Sequence, residues 1–221
     1  MSKKIILFLI LLPYLLGFRI FGQIVKWPIK VDQPKIWLHI CQDLEISNYD
    51  LPEGDPLYGQ LVSSHDLLDS VIADYNSVSS SFLRFANQDT DSSFDASLAE
   101  NRIIELCPGS LPGVVVGQAR FDVDENGIYK CEIILSKSAV SAKQFVGTLT
   151  HELGHCVGLD HPHDTTAAIM SYYHSTNSVR LMVDDKMGLT SLYPLDPKAA
   201  QEEPTWGASC SPRSSASHSD I

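Results

Sequence analysis

At 221 residues, 44% of them apolar, with a formal net charge of −11, the chain suits one packed domain with short appendages. That acidity argues against nucleic acid or an anionic membrane surface as a partner. The five cysteines are odd in number, so at least one thiol stands outside any intrachain disulfide framework, and none has the spacing of a zinc cage.

The chain opens with Lys3 and Lys4 followed by about a dozen apolar residues up to Leu16. That run is short for a membrane span and matches a secretory signal, with the small residues Gly17 and Gly22 as release points and the second preferred. Residues 1–22 are therefore expected to be a signal peptide, 23–195 a catalytic domain and 196–221 a disordered tail. The tail holds Pro, Ser, Glu and Gly with little apolar periodicity. The expected location is secreted or extracytoplasmic, in a periplasm or at the cell surface, with no stable membrane span once the signal is removed.

Lys35–Cys41 reads as a strand rich in β-formers, and 48–59 as a Pro/Gly/Asp loop. Ser64 to Tyr75 reads as an amphipathic helix with Ser64 as N-cap and Leu67, Leu68, Val71, Ile72 and Tyr75 on its apolar stripe. Phe82–Ala86 and Arg102–Cys107 read as two more strands. They are separated by a polar loop, Gln88–Ser97, and followed by a Pro/Gly turn, Pro108–Gly113. Cys41 and Cys107 each end an apolar run, which favours a bridge between them; Cys131 and Cys210 remain, and Cys156 reads as a small core residue.

Val114–Phe121 and Gly127–Leu135 are β-like runs around Asp122, Asp124, Asn126 and Gly127. That spacing opens an EF-hand loop, but its twelfth position is Ile133 where a glutamate ligand belongs, so calcium is unsupported. Asn126-Gly127 between two β-runs signals a hairpin turn instead.

A helix is expected over Ser141–Val157, with Phe145, Val146, Leu149, Leu153 and Val157 on its buried side. His151 and His155, four residues apart, fall on one face of it about a turn apart and can share one metal ion. A continued helix would carry position 161 roughly 15 Å from His151 and onto another face, so the chain must turn back. Gly158 tolerates the positive φ that such a reversal needs, and His161 can then return to the same ion. Three neutral imidazoles leave a fourth position open, the arrangement of a catalytic zinc site. Glu152 is placed to take a proton from a metal-bound water. His163 shares the residue type but not the spacing, while Asp160 and Asp164 are placed either to orient ligands or to cap the loop. A last helix is expected over Leu181–Tyr193, with Asp184 as N-cap and Pro194 as its stop.

This order of elements implies an α/β domain with a mostly parallel sheet and helices on both sides. The string from His151 to His161, with His, Glu, His, Gly and His at its fixed positions and Met170 nine residues on, resembles the metzincin zinc endopeptidases. The short span to Met170 and the ending Asp184, Asp185, Gly188, Leu189, Leu192, Tyr193 resemble the matrixin subgroup in particular. The resemblance implies an antiparallel edge strand at Val114–Phe121 that pairs with an extended protein or peptide substrate. It also implies a methionine turn in which Met170 underlies the metal. Tyr172, two residues later, resembles the astacin- and serralysin-like turn, which implies a role as metal ligand or oxyanion donor. No Pro-Arg-Cys-Gly propeptide motif is present, so the resemblance carries no cysteine latency switch.

The expected function is zinc-dependent cleavage of peptide bonds by a monomer, through Zn2+ on His151, His155 and His161 with Glu152 as base and Tyr172 assisting. The alternatives are an exported zinc-binding adhesin without turnover and an amidase acting on cell-wall peptides.

Overall fold

The computed structural model describes residues 19–20, 25–47, 59–97, 99, 102–113, 115–136, 141–162, 166–171 and 178–196. Most of the expected signal peptide, nearly all of the tail, Tyr172, His163, Asp164 and Cys210 lie outside the described residues.

Five strands form the central sheet: β2 (Lys35–Ile40), β5 (Arg84–Asn87), β6 (Ile103–Gly109), β7 (Gly117–Asp124) and β8 (Gly127–Ser136). Their spatial order is β5-β2-β6-β8-β7; the first four run parallel, and β7 is antiparallel to β8 at the edge. Three helices accompany them among the described residues: α1 (Ser64–Asn76), α2 (Ala142–Cys156) and α3 (Val183–Leu192). Two small antiparallel pairs complete the set, β1 (Arg19–Ile20) with β9 (Leu159–Asp160) and β3 (Glu45–Ser47) with β4 (Leu61–Ser63).

The mostly parallel sheet with an antiparallel edge strand is the expected one, but the helices are placed differently. α1 packs on β5, α2 packs on β7 and β8, and the two helices touch each other, so both cover one face. The cause lies in the connections. Among the described residues only the step from β2 to β5 carries a helix, none lies between β5 and β6, and β6 reaches β8 through the hairpin with β7. The loop after β5 serves the other face instead, where Phe94 meets Trp37 edge-on with ring centroids 5.8 Å apart.

The hairpin expected at Asn126-Gly127 is present. Asp124 pairs with Gly127, whose φ is 129°, and the Asp124 carboxylate accepts the Asn126 and Gly127 amides. Ile133, the would-be twelfth ligand of a calcium loop, is fully buried in the sheet.

Helix caps depart from expectation by one residue at α1 and by two at α3. Ser63, extended at φ −73°, ψ 154°, caps α1 by accepting the His65 and Asp66 amides. Ser64 is buried inside the first turn and donates its hydroxyl to Asp43 at 2.8 Å. At α3 the N-cap is Met182, Asp184 is already helical, and Asp185, one position further in, accepts the Met182 amide at 2.8 Å. Ser141 caps α2 by accepting the Gln144 amide at 3.1 Å.

Two disulfides cross-link the domain, one within the sheet and one between sheet and helix. Cys41–Cys107 joins the ends of neighbouring strands β2 and β6, the pairing favoured above. Cys156 is not a free core thiol: it bonds Cys131 of β8. Cys156 lies on the helix face that carries Leu149 and Leu153, and that face rests on the sheet, so burial and bridging come together.

The C-terminal end of α2 is fixed from outside. The Trp27 indole donates to the Cys156 carbonyl at 2.6 Å, and the Tyr193 hydroxyl donates to the Val157 carbonyl at 3.0 Å. These are the orphan acceptors every helix end leaves. Gly158 then turns the chain at φ 94°, and a Cβ there would collide with the carbonyl oxygen of Val25. Tyr193 is fully buried, and its hydroxyl also accepts the Trp27 amide at 3.0 Å. Tyr193→Phe strands both partners and should lower the unfolding free energy by about 1–3 kcal/mol, read from a urea titration.

Candidate metal centre

The last two turns of α2 present His151, Glu152 and His155, and the reversal at Gly158 brings His161 back after β9. The three Nε2 atoms converge: His151 to His161 is 2.9 Å and His155 to His161 is 3.1 Å. Two imidazole nitrogens bound at ~2.05 Å around a tetrahedral zinc would stand ~3.3 Å apart, so the set needs only a slight opening to close on an ion.

The opposite ring nitrogens hold the orientation. Nδ1 of His151 lies 2.8 Å from the Ile169 carbonyl, and Nδ1 of His155 lies 3.0 Å from the Leu159 carbonyl. A proton on each Nδ1, donated to those carbonyls, leaves Nε2 bare and facing the common centre. Asp160 takes the capping role foreseen as one of two: its carboxylate accepts the His161 amide at 2.8 Å.

Burial, with His151 as a second cause, lowers the pKa of His155 to about 4, so the ring stays neutral and ready to bind a metal. In the metal-free protein this has a defined sign. Between about 4 and the ordinary ~6.5 the unfolded chain takes up a proton that folded His155 does not. This contribution to stability is complete above ~6.5 and is lost as pH falls towards about 4. Urea midpoints of chelator-stripped protein should fall across that window, and less steeply in a His155→Gln variant.

Glu152 stands beside the triad, and its Oε2 accepts the Ala119 amide of edge strand β7 at 2.7 Å. Burial raises its carboxyl above the ordinary range, while the charge of His151 and the Ala119 amide pull it back. Gly117 lets β7 come this close: a Cβ there would collide with Thr148 and lie 3.0 Å from Glu152 Cγ.

Beneath the triad, buried Met170 packs against α2 where residue 154 is glycine; a Cβ on Gly154 would run into its sulfur. Asp185 fixes this turn. Its Oδ2 accepts the amides of Ile169 (2.8 Å) and Met182 (2.8 Å), and its Oδ1 accepts that of Met170 (3.3 Å). Burial raises this carboxyl too, and the three amides oppose the shift. The role of Asp185 escaped the sequence reading, which assigned the helix cap to its neighbour. An acid at the third helical position, able to reach back to the cap amide, was the available signal. The Ala119 amide carries no signal in any sequence.

A family model described as matrixin matches residues 75–194. The macrophage metalloelastase of Oryctolagus cuniculus is 37% identical over 106 residues, which cover 44% of this chain and 20% of that protein. The chain thus spans about a fifth of the length of the curated relative it matches. Among solved structures, the GM1-bound form of the ECX AB5 holotoxin is similar at a TM-score of 0.45 and 13% identity, covering 73% of this chain and 80% of that one. Myroilysin is similar at 0.43 and 13%, covering 80% and 98%.

Proposed function

The chain belongs to the matrixin family, and from that membership we propose that it is a zinc-dependent endopeptidase. The observation that carries the reading is the convergence of three imidazole Nε2 atoms beside a carboxylate held on the edge strand. His151, His155 and His161 hold the ion, and the donor set suits zinc. Bound there, zinc acidifies water and polarises a carbonyl.

Glu152 removes a proton from the attacking water and passes it to the leaving nitrogen. Its raised carboxyl suits both halves of that task. Among the described residues β7 pairs with β8, which puts it at the edge of the sheet where an extended peptide would add, and Glu152 sits on that same edge through Ala119. Residues 172–177 lie outside the described residues, and Tyr172 is assigned the role of metal ligand or oxyanion donor by its place two residues after Met170. The catalytic domain is assigned to 23–195, between a signal over 1–22 and a tail over 196–221. No helix among the described residues is long and apolar enough to cross a membrane. Two disulfides accord with an oxidising, extracytoplasmic setting.

The test is digestion of an unstructured protein such as casein by purified chain, with and without a chelator. Cleavage that a chelator abolishes and added zinc restores is the expected result. A zinc-loaded chain that binds peptides without cutting them would overturn it, as would one that cuts only cell-wall peptides.

A further inference from the structure

The short strand that returns the chain to the metal centre, β9, carries two of the contacts that orient the triad. The Leu159 carbonyl faces Nδ1 of His155 at 3.0 Å, and the Asp160 carboxylate accepts the His161 amide at 2.8 Å. Two residues cannot fix their own extended backbone, because ladder groups need a partner strand. Among the described residues that partner is β1, which runs antiparallel with Arg19 opposite Asp160 and Ile20 opposite Leu159. β1 also lies against α3, so it is held from a second side.

The chain that follows β1 grips the same reversal. The Val25 carbonyl oxygen occupies the space that a Cβ on Gly158 would need. The Lys26 carbonyl accepts the Ile128 amide at 2.9 Å, and the Lys26 ammonium donates to the Leu192 carbonyl at 2.7 Å. The Trp27 indole closes the last turn of α2 at the Cys156 carbonyl. Val25 to Trp27 therefore fix the end of the metal-binding helix, and β1 extends that hold to the two residues before His161. A leader released on export contributes nothing to the finished fold. Arg19 already lies beyond the apolar run that ends at Leu16.

We propose that β1 belongs to the working enzyme as a positioning strand, holding Leu159 and Asp160 and through them His155 and His161. This role presupposes the zinc reading above and deepens it. It moves the end of the leader from Gly22 to Gly17, so that the exported chain begins at Phe18. Release after Gly17 keeps β1, whereas release after Gly22 removes it.

The test starts from the full chain, exported with its own leader. The mass of the released protein should place its first residue at Phe18. In the same chain, Ile20→Pro removes a backbone amide from β1 and bars it from a regular ladder. Zinc affinity, read by chelator competition, should fall ~10–100-fold, the usual effect of losing a group that orients metal ligands. The melting temperature of the chelator-stripped variant should drop by only about 2–4 °C. A chain produced from Gln23 onward should bind zinc as weakly as the Ile20→Pro variant, which keeps the test decisive should that variant not be exported. A released protein that begins at Gln23 overturns the proposal, as does either altered chain if its zinc affinity matches the parent's. None of these readings uses peptide cleavage, so a zinc-binding chain without peptidase activity would leave them intact.

Discussion

Glu152→Gln should leave the triad able to hold zinc while slowing peptide-bond cleavage by ~10²–10⁴, the usual share of a positioned general base. The two halves of that result have separate causes. Zinc affinity rests on His151, His155 and His161, whose Nδ1 contacts to the Ile169 and Leu159 carbonyls do not involve Glu152. Glutamine keeps the length of glutamate and can still accept the Ala119 amide, so β7 stays in register. What it lacks is a group able to take a proton. Metal content by mass spectrometry beside casein hydrolysis separates the two effects. Cleavage undiminished in the variant would mean that another group serves as base; lost zinc would mean that Glu152 is structural.

The largest effect on stability should come from Asp185→Ala. The carboxylate is 2% exposed and accepts three backbone amides, from Ile169, Met170 and Met182. Alanine leaves all three without a partner at a site where water does not reach. At 1–3 kcal/mol for each stranded donor, and with some relaxation, the loss should be about 3–5 kcal/mol, a large part of a typical domain's stability. Asp185→Asn should cost less, since an amide oxygen in place of Oδ2 still accepts from Ile169 and Met182. The damage should also reach the metal. Ile169 offers its carbonyl to His151 Nδ1, so a loosened turn frees that ring, and zinc affinity should fall by ~10–100-fold. A denaturant titration and a zinc-competition assay read these two numbers. A variant within ~1 kcal/mol of the parent would show that the turn is held by other contacts.

What could be read from residues alone follows a physical divide. The triad was legible because helical geometry ties His151 to His155 without reference to anything distant, and Gly158 announces the reversal that returns His161. The hairpin at Asn126-Gly127 was legible for the same local reason. Cys131–Cys156 was not, because it depends on α2 lying across β8, a fact of sheet order and not of spacing. The side on which α1 and α2 pack was likewise hidden, since it follows from which crossovers carry helices. Ser63 in place of Ser64 as cap of α1, and Asp185 in place of Asp184 as the acid that bonds back to the Met182 cap of α3, show how two adjacent residues of one type leave a helix start undecided until tertiary partners choose. Asp43 draws Ser64 inward, and the methionine turn draws Asp185.

The most direct test of the metal centre is an anomalous difference map, recorded on both sides of the zinc absorption edge, from crystals grown with zinc. The account predicts a peak bonded to Nε2 of His151, His155 and His161 at ~2.0–2.1 Å, with the Glu152 carboxylate outside bonding distance. Zinc density elsewhere and none between those three rings, or Glu152 itself as a ligand, would contradict it.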